Sequence, residues 1–157
     1  MPSSLAPGKK AIRTLLATSD GLRESDGVSV RSADLTPDEM TPIAKGGLVL
    51  LGNATVSETR EGLNTYAETV TVPCWAVAVV AGSGEDAVDA ARDKADELFG
   101  YARATLTAHP DANGAIPGPA RVVVAAGGMT ETPVDWSGAA RRADRAFTLS
   151  WTSHITI

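Results

Sequence analysis

Cysteine, histidine and surplus basic charge are all scarce in this chain of 157 residues, and each scarcity excludes a class of function. Cys74 is the one cysteine, so no disulfide forms within the chain and no thiolate cage for a metal can be built. It lies in the apolar run TVPCWAVAVV and reads as a buried structural thiol. The two histidines, His109 and His154, with no second cysteine, do not make a closed zinc site. Lys and Arg total 14 against 19 Asp and Glu, a formal net charge of -5. A general nucleic-acid binder needs a basic stripe, which this balance does not supply. It leaves room for DNA that passes nearby without being gripped. No run is long and apolar enough for a membrane span or a signal peptide, so no membrane partner is expected, and synthesis and folding are expected in the cytoplasm.

What is present is ordinary globular material: 43% hydrophobic and 21% charged residues. One domain over 1–157 is expected, with no internal repeat or boundary. Ile12, Leu15 and Leu16 share a face of a short helix over 9–18, preceded by Pro7-Gly8. VSVRS at 28–32 reads as a short strand. Thr36, Pro37 and Glu39 suggest a capped turn that Pro42 stops. LVLLGNATVS at 48–57 reads as one strand with an irregular middle, a bulge or turn at Gly52-Asn53, and 60–66 as a loop. In ETVTVPCWAVAVV, 68–80, the even positions Val70 to Val80 share one face. Trp75, Val77 and Val79 share the other, so the later half should be covered on both sides. Pro73 suggests an edge position or a bulge. Ala87, Val88, Ala91, Ala95, Leu98, Ala102 and Leu106 then form one apolar stripe, a helix over 85–109 that Ser83 and Asp86 would start. ARVVVAA at 120–126 reads as a buried strand, 127–138 as a loop, and AFTLSWTSHITI as a half-buried antiparallel strand. The predicted fold class is α+β: a mostly antiparallel sheet with the long helix packed on one face and a short N-terminal helix.

The chemistry-bearing patterns are thin. AGSGEDA at 81–87 matches G-x-G-x-x-A between a strand and a helix. Glu85 and Asp86, however, would meet a pyrophosphate with like charge, and no acidic residue follows the next strand. A helix-starting turn is the better reading, and no cofactor is expected. Asp93 and Glu97 stand four apart and fit a solvated acidic face better than a cation site. Ser83 and Ser150 have no visible base, so no catalytic residue and no metal ligand are assigned. Arg141, Arg142 and Arg145 form the one basic cluster. It suits either a phosphate backbone or the acidic surface of a neighbouring subunit, and the interruption by Asp135 and Asp144 favours the second. Trp136 and Tyr66 lie in polar loops, where aromatics often anchor interfaces. Trp136 with the three arginines, and the acidic helix face of Asp89, Asp93 and Asp96, are the candidate interface residues. Contact between two such different patches is head-to-tail and closes into a ring when the rotation permits.

The layout resembles the tail terminator proteins of long-tailed bacteriophages, also called tail completion or head–tail joining proteins. The likeness covers most of the chain. An opening helix is followed by a strand like LVLLGNATVSE. Next come a strand that starts at a glutamate, ETVTVPCWAVAVV, and a charged, alanine-rich helix, AVDAARDKADELFGYARATL. Two closing strands, ARVVVAA and RAFTLSWTSHI, complete it. The resemblance implies a mechanical, non-enzymatic role: a homohexamer on the last ring of the tail tube protein. That ring stops tube polymerisation and docks to the head–tail connector or a stopper protein. It implies a virion location at the head-proximal end of the tail, assembly in the host cytoplasm, and genomic DNA passing through the lumen without specific binding. A head-completion or stopper protein, a generic dimeric α/β module and a nucleotide-dependent enzyme are the other readings. The 31–47 connection is longer than this layout expects.

Overall fold

Alternation of apolar and polar residues along 68–80 belongs to a strand longer than the pattern itself. The computed structural model describes residues 3–32, 37–82, 84–116, 121–135 and 139–156. In chain order the elements are α1 (Leu5–Ala17), β1 (Ser29–Arg31), α2 (Pro37–Ile43), β2 (Leu48–Leu51), β3 (Thr55–Arg60), β4 (Thr65–Ala81), α3 (Glu85–Ala108), β5 (Val123–Asp135) and β6 (Ala139–Thr156). They form a mixed sheet of six described strands in the order β1-β2-β4-β6-β5, with β3 also paired to β4. Only the β1–β2 pair is parallel. The fold is α+β, a mostly antiparallel sheet with α3 and α1 on one face.

β4 runs through the centre and pairs with β6 from Thr65–Thr156 to Ala81–Ala140. Its other side is shared by β2, from Leu51–Cys74 onward, and β3, from Thr55–Thr71 onward. Pro73 is therefore in a central strand and not at an edge. Its missing N–H does no damage because it falls at the gap between β2 and β3, where the Pro73 carbonyl accepts the Gly52 N–H at 2.7 Å. The irregularity expected within one strand at Gly52-Asn53 is a full break that separates β2 from β3, and the expected loop shrinks to 61–64.

Val70, Val72, Cys74 and Ala76 of β4 join Val49, Leu51, Phe147, Leu149 and Trp151 under both helices. α3 buries Ala87, Ala91, Ala95, Leu98, Ala102 and Leu106, together with Phe99, whose ring centroid is 5.0 Å from that of Phe147. Val88 is only partly buried. Each fully buried leucine of this stripe contributes roughly 1.5–3 kcal/mol by leaving water. The helix N-cap is Gly84, with φ of 90° and no side-chain cap; Ser83, the expected cap, lies outside the described residues. On the opposite face, Val77 and Val79 are covered with Leu48, Leu50 and Ala44, against which Met40 and Ile43 of α2 lie. That accounts for the doubly apolar later half of β4.

Three expectations about boundaries change. α2 continues one residue beyond Pro42, to Ile43; Thr36, its expected cap, is outside the described residues. The segment expected as a loop at 127–138 belongs largely to β5, which runs to Asp135 with a register shift between Ala126 and Met129 at the paired glycines. β5 also fails to be the buried strand expected, since it lies at the sheet edge and Val123 is 59% exposed. α1 begins at Leu5, with Pro7 inside its first turn. No helical N–H partner exists there, so the proline costs nothing.

The early start of α1 brings Gly8 against the sheet. A Cβ at Gly8 would stand 2.8 Å from Cζ2 of Trp151, a ring that is itself buried. Replacing a helical glycine by alanine normally gains about 1 kcal/mol. Here overpacking against a ring that cannot move costs about 1–3 kcal/mol, so the clash wins. Gly8→Ala is expected to lower stability in chemical denaturation by about 1 kcal/mol. A stabilised variant would mean that α1 does not approach Trp151 this closely.

Candidate functional site

Period-two geometry divides the basic cluster between the two faces of the sheet. Arg145 pairs opposite Ala76, on the α3 side. Its guanidinium lies 3.6 Å from Asp96 of α3 and over the Phe99 ring at 5.4 Å. Arg142 points to the other face and is buried, with Nη2 2.6 Å and Nε 2.7 Å from the two carboxylate oxygens of Asp144. Such a bidentate pair is the strong form of the contact, and burial keeps it from being screened. Arg141, opposite Val80, is partly exposed beside Glu131 and Val88.

The acidic helix face is likewise used within the chain. Arg92 bridges Asp89 on its own helix and Glu131 on β5, and the hydrogen bond and charge of Glu131 raise the Arg92 guanidinium further above its ordinary value. Asp96 holds Arg145. Asp93 is exposed. One chain thus joins Arg145 to Asp96, a pair that the two-patch reading placed on different subunits; using them between subunits would require the pair to exchange partners. Trp136 lies outside the described residues. Tyr66 is not in a loop but in β4, partly buried opposite Ile155.

Other candidates resolve into structural roles. Glu97 accepts the Tyr101 hydroxyl at 2.9 Å, which raises the phenol above its ordinary range, so Glu97 faces Tyr101 as well as solvent. Among the described residues no group of three His, Cys, Asp or Glu is placed to hold a metal. His109 caps the C-terminus of α3 through its backbone N–H. His154 sits on the polar face of β6, its Nδ1 2.9 Å from Glu61. Gly82 and Gly84 both have positive φ and form the turn into α3. Among the described strands β4 pairs with β2, β3 and β6, all antiparallel, and a dinucleotide crevice is built on parallel neighbours. No described helix is long and apolar enough to cross a membrane.

Two further features bear on the site: the first had no clear signal in the sequence, and the second extends the polar row of Thr148, Ser150, Thr152 and Thr156 that the alternation of the last strand predicts. The first is a buried polar hub. Ser4 Oγ donates to Glu68 Oε1 at 2.9 Å and accepts from Trp151 Nε1 at 2.9 Å and from Ser153 Oγ at 3.2 Å. One donor and two acceptor positions are all that a hydroxyl has, so Ser4 is saturated. The Ser4 N–H adds a second bond to Glu68. This hub fastens the start of α1 to β4 and β6. The second feature is a bare sheet face. Thr55 and Ser57 of β3 share it with Thr69 and Thr71 of β4 and with Ser150 and Thr152 of β6. The Thr69 and Thr152 hydroxyls lie 3.1 Å apart. No lysine or arginine stands in these rows.

No family model matches the sequence, and no curated protein matches it. Among solved structures, the chain is similar to one from the virion of a native gene transfer agent particle, with 17% identity and a TM-score of 0.42 over 92% of this chain and 94% of that one.

Cys74 is buried under the helices, and burial pushes its thiol from 9.0 up to about 12. The thiolate is the reactive form. At pH 8 the native protein is therefore expected to resist a thiol reagent such as Ellman's until it is unfolded. Because the folded value lies above the unfolded one, this thiol's contribution to stability is complete below pH 9.0 and is lost as pH rises toward about 12. Rapid labelling of the folded chain at pH 8 would contradict this placement.

Proposed function

We propose that this chain is a phage tail terminator, a structural virion protein that forms a homohexameric ring on the tail tube. The ring stops polymerisation of the tube protein and joins the tail to the head connector or a stopper protein. The likeness of element order and strand sequence to that family motivates the reading. The observation that carries it is the presence of two open edges on one sheet. Among the described residues β3 pairs only with β4, and all six of its residues are exposed; β5 pairs there only with β6. Such edges are templates for contact with another chain. They lie on opposite sides of the sheet, so a contact that uses both is head-to-tail and can close into a ring.

The bare hydroxyl face supports the same reading. A lumen that passes DNA must not hold it, and phosphate binding depends on lysine and arginine. Threonine and serine rows give a wetted, uncharged wall, and the net charge of -5 repels phosphates further. Trp136, with Arg141 and the exposed Asp93, remains our candidate contact between subunits. Arg142, Arg145, Asp89 and Asp96 would join it by exchanging their partners. The role is mechanical and requires no covalent step.

Deletion of the gene, followed by imaging of particles, tests the proposal. Heads without tails and free tubes of uncontrolled length are expected. Tails of normal length attached to heads would exclude the terminator role. Trp136→Ala is expected to weaken ring assembly while the chain stays folded by circular dichroism; unfolding would make Trp136 a core residue and remove it from the interface.

A further inference from the structure

A third open edge lies at the other end of the sheet order. Among the described strands β1 pairs with β2 alone. Alternate residues of a parallel strand turn their backbone groups to opposite sides. The Ser29 N–H donates to the Gly47 carbonyl on the β2 side at 3.0 Å, so the N–H and C=O of Val30 turn outward. They open into a groove of about 580 Å³. It is lined by Val28 and Val30, by Arg13 and Ala17 of α1 and by Ile43. The Val28 N–H is already taken by the Arg23 carbonyl at 3.3 Å, so backbone pairing is available from Val30 onward.

The charge of this groove runs against that of the chain. Arg13 and Arg31 are exposed at its border, and neither makes an ion pair among the described residues. The nearby charges are committed elsewhere: Arg23 to Asp20 at 2.8 Å, and Asp26 to the N–H groups of Gly21 and Arg23. Among the described residues Glu24 is the one acidic side chain that lines the groove.

We propose that this groove binds an extended acidic segment of a partner protein, which adds a strand to β1. Its backbone pairs with Val30; its side chains meet Val28 and Arg13 on the α1 face and Ile43 and Arg31 on the opposite face, so each face takes both an apolar and an acidic residue. Three strand residues span about 10 Å, so a segment of about four or five residues fills the site. This inference goes beyond the ring and holds whether or not the ring forms.

The test uses the full chain and a fluorescein-labelled pentapeptide, Val-Val-Glu-Glu-Val, capped at both ends, which presents a valine and a glutamate on each face of the strand, followed by fluorescence polarisation. Saturable binding is expected. It should weaken about tenfold in the Arg13→Ala, Arg31→Ala double variant, which removes two exposed charges, and disappear when the central peptide nitrogen is methylated. Absence of binding would overturn the proposal. So would equal binding of the lysine–valine pentapeptide, indifference to the double variant while circular dichroism shows it folded, or displacement by a short oligothymidylate, which would mark a phosphate site. Hydrogen exchange on the free protein supplies a second arm. Rapid exchange of the Val30 amide supports an open edge, whereas protection equal to that of Val49 would show that the chain itself fills the groove.

Discussion

The ladder between β4 and β6 sets the register on which every other contact rests. Seventeen consecutive pairs, from Thr65–Thr156 to Ala81–Ala140, tie the middle of the chain to its end. A slip of one residue would turn Val70, Val72 and Cys74 to solvent and bring Thr69 and Thr71 under the helices. Both faces therefore depend on the same alignment. So do the positions of Arg145 beneath α3 and Arg142 on the opposite side, and the meeting of Glu68, Trp151 and Ser153 beneath Ser4.

From that ladder the sheet divides by what covers it. α3 and α1 lie over one face and bury aliphatic and aromatic side chains. α2 covers the far face only where Trp75, Val77 and Val79 emerge. The remainder of that face carries hydroxyls together with Ala67, Pro73 and the exposed Val123, and among the described residues it borders strands paired on one side only. The internal pairing of Arg145 with Asp96 and of Arg142 with Asp144 gives the fold rigidity and does not leave those charges idle at the surface.

The residues that misled the sequence reading share a physical cause. In sequence, part of β5 resembles a loop because TETP and the adjacent glycines have no apolar alternation. An edge strand needs no such pattern, since its ladder bonds are made by backbone. Pro73 suggested an edge because proline lacks a donor. What mattered was which neighbour that donor would have faced, and a gap between two strands stands there. The Ser4 hub left no trace, because its members are separated by as many as 149 positions along the chain and serine is unremarkable near a terminus.

Local pattern by itself determined the long helix with its alanine and leucine stripe, the alternating strands at 68–80 and 146–156 and the α+β class. Each depends on a period of 3.6 or 2 that a short window displays. Tertiary structure alone decided the strand order, the edge position of β5, the partners of the arginines and the need for glycine at position 8. These are meetings between residues far apart in sequence, and they depend on how two layers are superimposed. Gly8 shows the distinction most plainly. In the sequence it is a poor helix residue beside a proline, and in the fold it is the space that the Trp151 ring requires.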